Sequence, residues 1–346
     1  MKKIMLWAVL LMAIIQSCKV NFDQVQEHAN SYFITTTEQL ENSEYSKSID
    51  DFYMTGKEGT FFGVDSVKIY YKIFSQKGKG KGAIMISSGR TEAAVKYKEL
   101  IFDLYKNGYS VYIHDHRGQG QSGRMTEDSQ MGYVENFQYY IDDLKKFHDL
   151  FFMKGNHKKR FLLAHSMGGA IGMTYLEQFP KDFDAAAFSS PMLAFNPPAC
   201  TAVKILEGDK IKYAIGESAY NDDKIEFKQN KLTGSEMRYK RMVDAFEKQP
   251  DAKLGGATYQ WVAQSCQQFG YIVEHIDKIQ TPFILFSASN EQIVDVMGHQ
   301  RFIDKAKSLN KVHIAYLVSD AQHELFIEKD KQRAETITAF LKFFTK

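Results

Sequence analysis

Cysteine is scarce in this chain, with three residues in 346, at positions 18, 200 and 266. There is no C-x-x-C pair and no zinc-site spacing, so a structural zinc module and a dithiol redox motif are excluded. Charge of one sign is lacking as well. The formal net charge is only +2, and the lysines are dispersed, which leaves no basic face for nucleic acid. The KGKGKG stretch from Lys77 to Gly82 is not a phosphate cradle, because no strand–loop–helix closes on Gly-Lys-Ser/Thr. It reads as a flexible, solvated, hairpin-like loop. No internal repeat is present, so a solenoid or propeller is excluded. The apolar run from Ile4 to Ile15 is too short to span a bilayer comfortably.

That run has a different reading. Lys2 and Lys3 form a basic head, the apolar run follows, and Ser17-Cys18 is similar to a bacterial lipoprotein processing site, with Gln16 the one residue that fits poorly. The expectation is a lipoprotein-type signal peptide over 1–18, cleaved before Cys18 and lipidated there, with an uncleaved anchor and plain secretion as the other readings. The protein would then be exported and held at a membrane surface. In an oxidising compartment Cys200 and Cys266 form one disulfide or remain two free thiols; nothing in the sequence fixes their separation.

Residues 19–60 are polar with scattered aromatics and read as a tether or leading helix. From there a rhythm of strands and helices begins. VKIYYKIF (67–74) alternates enough for an outer strand, and AIMISS (83–88) is a buried one. A helical segment follows and stops at Gly108. SVYIHD (110–115), AAAFSS (185–190), PFILFSAS (282–289) and KVHIAYLV (311–318) are further strands, with helical periodicity over 132–152 and a closing amphipathic helix from Lys331 to Phe344. Such alternation means a mostly parallel sheet with helices on both faces, an α/β fold. Between Pro191 and about Asp277 the rhythm breaks into charged and aromatic helical patches. The expectation there is an inserted cap over about 191–277, within a catalytic domain spanning 61–346.

The chemistry centres on FLLAHSMGGAIG (161–172). Four apolar residues run into a turn bearing Ser166, and a helix-forming run follows. This reads as a nucleophile elbow, which lifts a serine hydroxyl to the top of a parallel sheet and needs small neighbours at Ala164 and Gly168, the other reading being an ordinary strand–helix turn. A serine attacks only when a base takes its proton and an acid holds the base. In this arrangement the chain order is serine, acid, histidine. His323 follows the last strand and is the expected base. The acid lies past PFILFSAS, where Glu291 and Asp295 both qualify and either also serves as a helix cap. The oxyanion donors fall on the backbone N–H groups of Met167 and Arg90. The Arg90 side chain is either a contact for an anionic head group or an ordinary surface arginine. His114 and His116 share a strand face, as metal ligands do, but no third ligand stands near them, so no metal site is assigned. DHRGQGQSG (115–123) reads instead as a strand-end loop packed beside the site. No cofactor motif is present, and none is expected.

DHRGQGQSGR (115–124), SSGRTEAAVKYKEL (87–100), AHSMGG (164–169) and QHELFIEKD (322–330) together resemble the lysophospholipase and monoacylglycerol lipase branch of the serine α/β hydrolases, most of all the bacterial lysophospholipases. NKLTGSEMRYKRM (230–242) and LGGATYQWV (254–262) are similar to that branch's lid. The resemblance implies the α/β-hydrolase fold, with Ser166 as nucleophile, His323 as base and Glu291 as acid, Asp295 being the alternative. It implies hydrolysis of lipid acyl esters, of a lysophospholipid or a monoacylglycerol, without a cofactor. Tyr213, Tyr220, Phe227, Tyr259 and Trp261 would suit an apolar acyl groove. A general carboxylesterase acting on small esters, a lipid-binding lipoprotein on an inactive scaffold and an acyltransferase are the other readings.

Overall fold

The structure is a computed structural model, and it describes residues 32–221 and 226–345. The expected signal peptide, Cys18 and the start of the lead-in lie outside the described residues. Eight strands form one sheet: β1 (Lys57–Phe62), β2 (Lys68–Phe74), β3 (Gly82–Ser87), β4 (Tyr109–His114), β5 (Arg160–His165), β6 (Ala185–Ser189), β7 (Phe283–Ala288) and β8 (His313–Val318). Their spatial order is β1-β2-β4-β3-β5-β6-β7-β8. β1 and β2 run antiparallel to their neighbours. The other six strands are all parallel.

The central strands are apolar on both faces because helices cover both. Successive side chains point to opposite sides, so each strand feeds two cores. Met85, Leu162, Ala164, Phe188 and Leu285 face one, with the helices Gln138–Phe147 and Met167–Gln178. Ile84, Ile86, Phe161, Leu163 and Phe286 face the other, with Lys98–Lys106 and the closing helix Asp330–Phe344. This two-sided burial leaves one open region, beyond the carboxyl ends of the strands, where parallel sheets place their sites.

From residue 32 on, the lead-in follows the leading-helix reading and is part of the fold, while three other expectations change. Thr35 bonds the buried Asp103, and Thr37 bonds Asp330. The helices Thr37–Glu41 and Ser43–Met54 bury Leu40 and Ile49 against Phe102. β1 begins at Lys57, ahead of the expected boundary at 61. Its sequence, KEGTFF, buries only Phe61 fully, which is why no alternation announces it. Residues 67–74, expected as an outer strand, lie second from the edge and are almost wholly buried. Since β4 separates β2 from β3, the Lys77–Gly82 loop is a crossover and not a hairpin.

Between β6 and β7 the described residues hold no strand, only helices, chiefly Ala199–Leu206, Glu236–Glu247 and Tyr259–His275. Cys200 and Cys266 join the first of these to the last as a disulfide, with their Cα atoms 5.6 Å apart.

Candidate active site

Ser166 stands between the end of β5 and the helix Met167–Gln178, with φ +50° and ψ −118°. A serine in that conformation is strained and must be held. Its N–H donates to Ser189 O at 3.1 Å, and its carbonyl accepts from Met192 at 2.8 Å. A Cβ added to Gly168 would lie 2.1 Å from Ser87 O, so only glycine fits there. The alanine at 164 is tolerated for a visible reason. Gly172 lies against it, and a Cβ on Gly172 would come within 3.3 Å of the Ala164 Cβ.

The loops after β7 and β8 bring the partners in. His323 Nε2 lies 2.9 Å from Ser166 Oγ, and His323 Nδ1 lies 2.7 Å from Glu291 Oε2. The other Glu291 oxygen accepts from Ile293 N and Val294 N at 2.8 and 3.2 Å. Burial alone would raise the Glu291 carboxyl, but the His323 hydrogen bond and charge, with those two amides, outweigh it and hold it below the usual range. Asp295 turns elsewhere: it caps the helix Val296–Ser308, accepting from Met297 N at 2.9 Å. Asp320 pairs with Lys329 at the surface.

Met167 opens its helix, so its amide is among those with no partner within it. The Gly89-Arg90 turn packs on the nucleophile: a Cβ on Gly89 would sit 3.2 Å from the Ser166 Cβ. The Arg90 side chain is no solvated surface arginine. Its guanidinium lies 4.9 Å from the centre of the Trp261 ring and donates to Gly255 O at 2.8 Å. It braces the cap against the loop that would supply the oxyanion donor.

The loop 115–123 does lie beside the site. Gln119 reaches from it to donate to Gly89 O and Glu92 O at 2.7 and 2.8 Å. Asp115 turns away from His114 and His116, accepting from Ala94 N and Gln121 N. The two histidine rings lie 4.6 Å apart in the core, and burial pushes His116 down to about 3. Both are neutral packing groups.

Above Ser166 and His323 a cavity of about 1300 Å³ opens beneath the inserted helices. Tyr220, Phe227, Tyr259 and Trp261 line it; Tyr213 does not, its hydroxyl being bonded to Asp128.

Residues 78–330 match the family described as serine aminopeptidase, S33. The chain belongs to that family. Among its relatives, lysophospholipase L2 of Escherichia coli (strain K12) is 33% identical over 309 residues, 86% of this chain and 90% of that one. Human monoglyceride lipase is 25% identical over 248 residues, 71% of this chain and 77% of that one. A soluble variant of monoglyceride lipase from Saccharomyces cerevisiae, solved with a substrate analog, superposes with a TM-score of 0.65 at 19% identity. That superposition covers 84% of this chain and 95% of the yeast chain, and it establishes the α/β-hydrolase fold.

Sequence reasoning found the residues of the S33-family elbow but missed those around it. Gln119, Glu92, Lys96 and Glu324 are all buried beside the nucleophile. A faint signal existed: a glutamate directly after His323, and a Glu92/Lys96 pair one helical turn apart.

Proposed function

We propose that this protein is a lysophospholipase that releases fatty acid through an acyl-enzyme on Ser166. That it hydrolyses carboxylic esters of lipids follows from its family and relatives. The finer assignment rests on one observation: the relation to lysophospholipase L2, at 33% identity, runs across 86% of the chain and includes the inserted helices. The cavity volume of about 1300 Å³ is consistent with it, being large enough for a long acyl chain.

In this reading His323 takes the Ser166 proton as Oγ attacks the ester carbonyl. Glu291 holds the imidazole in the tautomer that presents Nε2 to the serine and stabilises the imidazolium that forms. The Met167 and Arg90 amides receive the negative charge on the carbonyl oxygen. The alcohol leaves with the proton from His323. Water then attacks the acyl carbonyl as His323 takes its proton; the bond to Ser166 Oγ breaks, His323 returns the proton to Oγ, and the fatty acid departs.

We place the enzyme outside the cytoplasm, anchored through Cys18. The basic head, apolar run and Ser17-Cys18 support this, as does the Cys200–Cys266 disulfide, a bond that persists in oxidising compartments. No described helix is long and apolar enough to cross a membrane. Metabolic labelling with a radioactive fatty acid tests the anchor: label on the parent and none on Cys18→Ala is expected.

The substrate is tested by fatty-acid release from a lysophospholipid and a monoacylglycerol side by side, with Ser166→Ala as blank. Faster release from the lysophospholipid is expected. A preference for the monoacylglycerol moves the assignment to a monoacylglycerol lipase.

A further inference from the structure

Chain neighbours of the oxyanion turn, the nucleophile and the base gather in one charged cluster around an ammonium. Glu92 lies two residues past Arg90, on the turn that would supply an oxyanion amide. His165 directly precedes Ser166, and Glu324 directly follows His323. Lys96 Nζ bonds Glu92 Oε1, and it lies 2.6 Å from Glu324 Oε1. His165 Nε2 faces Glu324 Oε2 at 3.2 Å and Glu92 Oε1 at 3.7 Å. Its other nitrogen lies 3.0 Å from Ser189 O, whose residue continues the strand beside the elbow.

All four side chains are at least nine-tenths buried. Glu92, His165 and Glu324 also contact the site or the cap around it. Glu92 Oε2 accepts from the Gly89 N–H and from the Tyr97 hydroxyl. That holds the turn from one side while Gln119 grips its carbonyls from the other. The ring centres of His165 and His323 are 4.8 Å apart. Glu324 N donates to Leu232 O at 2.8 Å, which ties the base loop to the cap.

Glu92, His165 and Glu324 would also suit a metal ion, their ligand atoms lying within 4.8 Å of one another. The Lys96 ammonium already bonds both carboxylates, so the positive charge such a site needs is built into the chain.

We propose that Glu92, Lys96, His165 and Glu324 act as one positioning unit, with Lys96 at its centre, which keeps the oxyanion turn, the nucleophile and the base in mutual register. None of the four takes part in bond making. Two carboxylates face one ammonium and one imidazole, so the charges of the set largely offset one another. Burial would pull Lys96 and His165 down, but Glu324 and Glu92 outweigh it and raise both. The unit therefore costs little as a whole and much when broken at one point. This inference rests on the assignment of Ser166, His323 and the Arg90 turn.

The test uses the purified full chain, a short soluble ester, and labelling of Ser166 by a fluorophosphonate. Lys96→Met should lower kcat about 10- to 100-fold while KM moves by less than about 3-fold, since misplaced reacting groups cost rate before they cost binding. The labelling rate should fall by a similar factor. Lys96→Met leaves two carboxylates facing too little charge, so the companion variant Lys96→Met with Glu324→Gln removes one charge of each sign. Its melting temperature should return to within about 3 °C of the parent, while kcat stays low. A parental kcat in either folded variant overturns the proposal, because the four groups would then serve stability alone. Ser166→Ala is run alongside. If it retained hydrolysis and labelling, the nucleophile assignment would fall independently of how Lys96 behaves.

Discussion

Two buried acid–base groups flank the elbow, and they are built on opposite plans. Glu291, His323 and Ser166 form an open line, each bonded to the next, with the serine end facing the cavity. Glu92, Lys96, Glu324 and His165 form a closed set in which each charged group faces another. A line with a free end has somewhere to pass a proton. A closed set has none, and every bond in it resists movement. On the two proposals above, the difference separates groups that act from groups that hold, although both use glutamate and histidine at similar burial.

The contrast can be broken from either side. The largest effect is expected at the free end: Ser166→Ala should reduce kcat by about 10⁵-fold or more, with little change in melting temperature. Next comes the fixed end of the line. Glu291→Gln should cost about 10³- to 10⁴-fold in kcat, because an amide favours the wrong imidazole tautomer. Asp295→Asn measured beside it should retain parental activity; equal, small losses in both would sink the choice of acid. Lys96→Met falls below these in effect on rate but should show the larger loss of stability.

Smaller again are the pH effects, and the two groups should fail at opposite ends. The Glu291 carboxyl is lowered in the folded protein, so its contribution is present above the ordinary carboxylate range and is lost as pH falls through the folded value. The His165 imidazole is raised, so its contribution is full below about 6.5 and is lost as pH rises through the folded value. Melting temperature followed against pH should lose part of its acid limb in Glu291→Gln and part of its alkaline limb in His165→Gln. The smallest effect belongs to the cap. Asp295→Ala should cost about 1 kcal/mol in denaturant unfolding and leave kcat nearly parental.

How much of this was legible varies by segment. The buried strands were read from apolar runs because both sheet faces are covered, and the closing helix from its periodicity. The edge strand KEGTFF was missed because an edge buries little, and burial is what writes a pattern into sequence. At the site, Ser166 and His323 were legible from local grammar, a strand–turn–helix and a loop after the last strand. Glu291 and Asp295 were not separable that way, since both follow the same strand and both suit a cap.

The sequence by itself determined the elbow, the order of serine, acid and histidine, the parallel sheet and the place of the insertion. Each of these is a local pattern or a chain order. Only the tertiary structure decided that Glu291 reaches His323 while Asp295 caps a helix, that Cys200 meets Cys266, and that Glu92 and Glu324 bridge Lys96 to His165. The physical reason is distance. Hydrogen bonds and charge pairs act over a few ångströms, and residues as far apart as Lys96 and Glu324, separated by 228 positions, come within that range only after the sheet has aligned the ends of its strands.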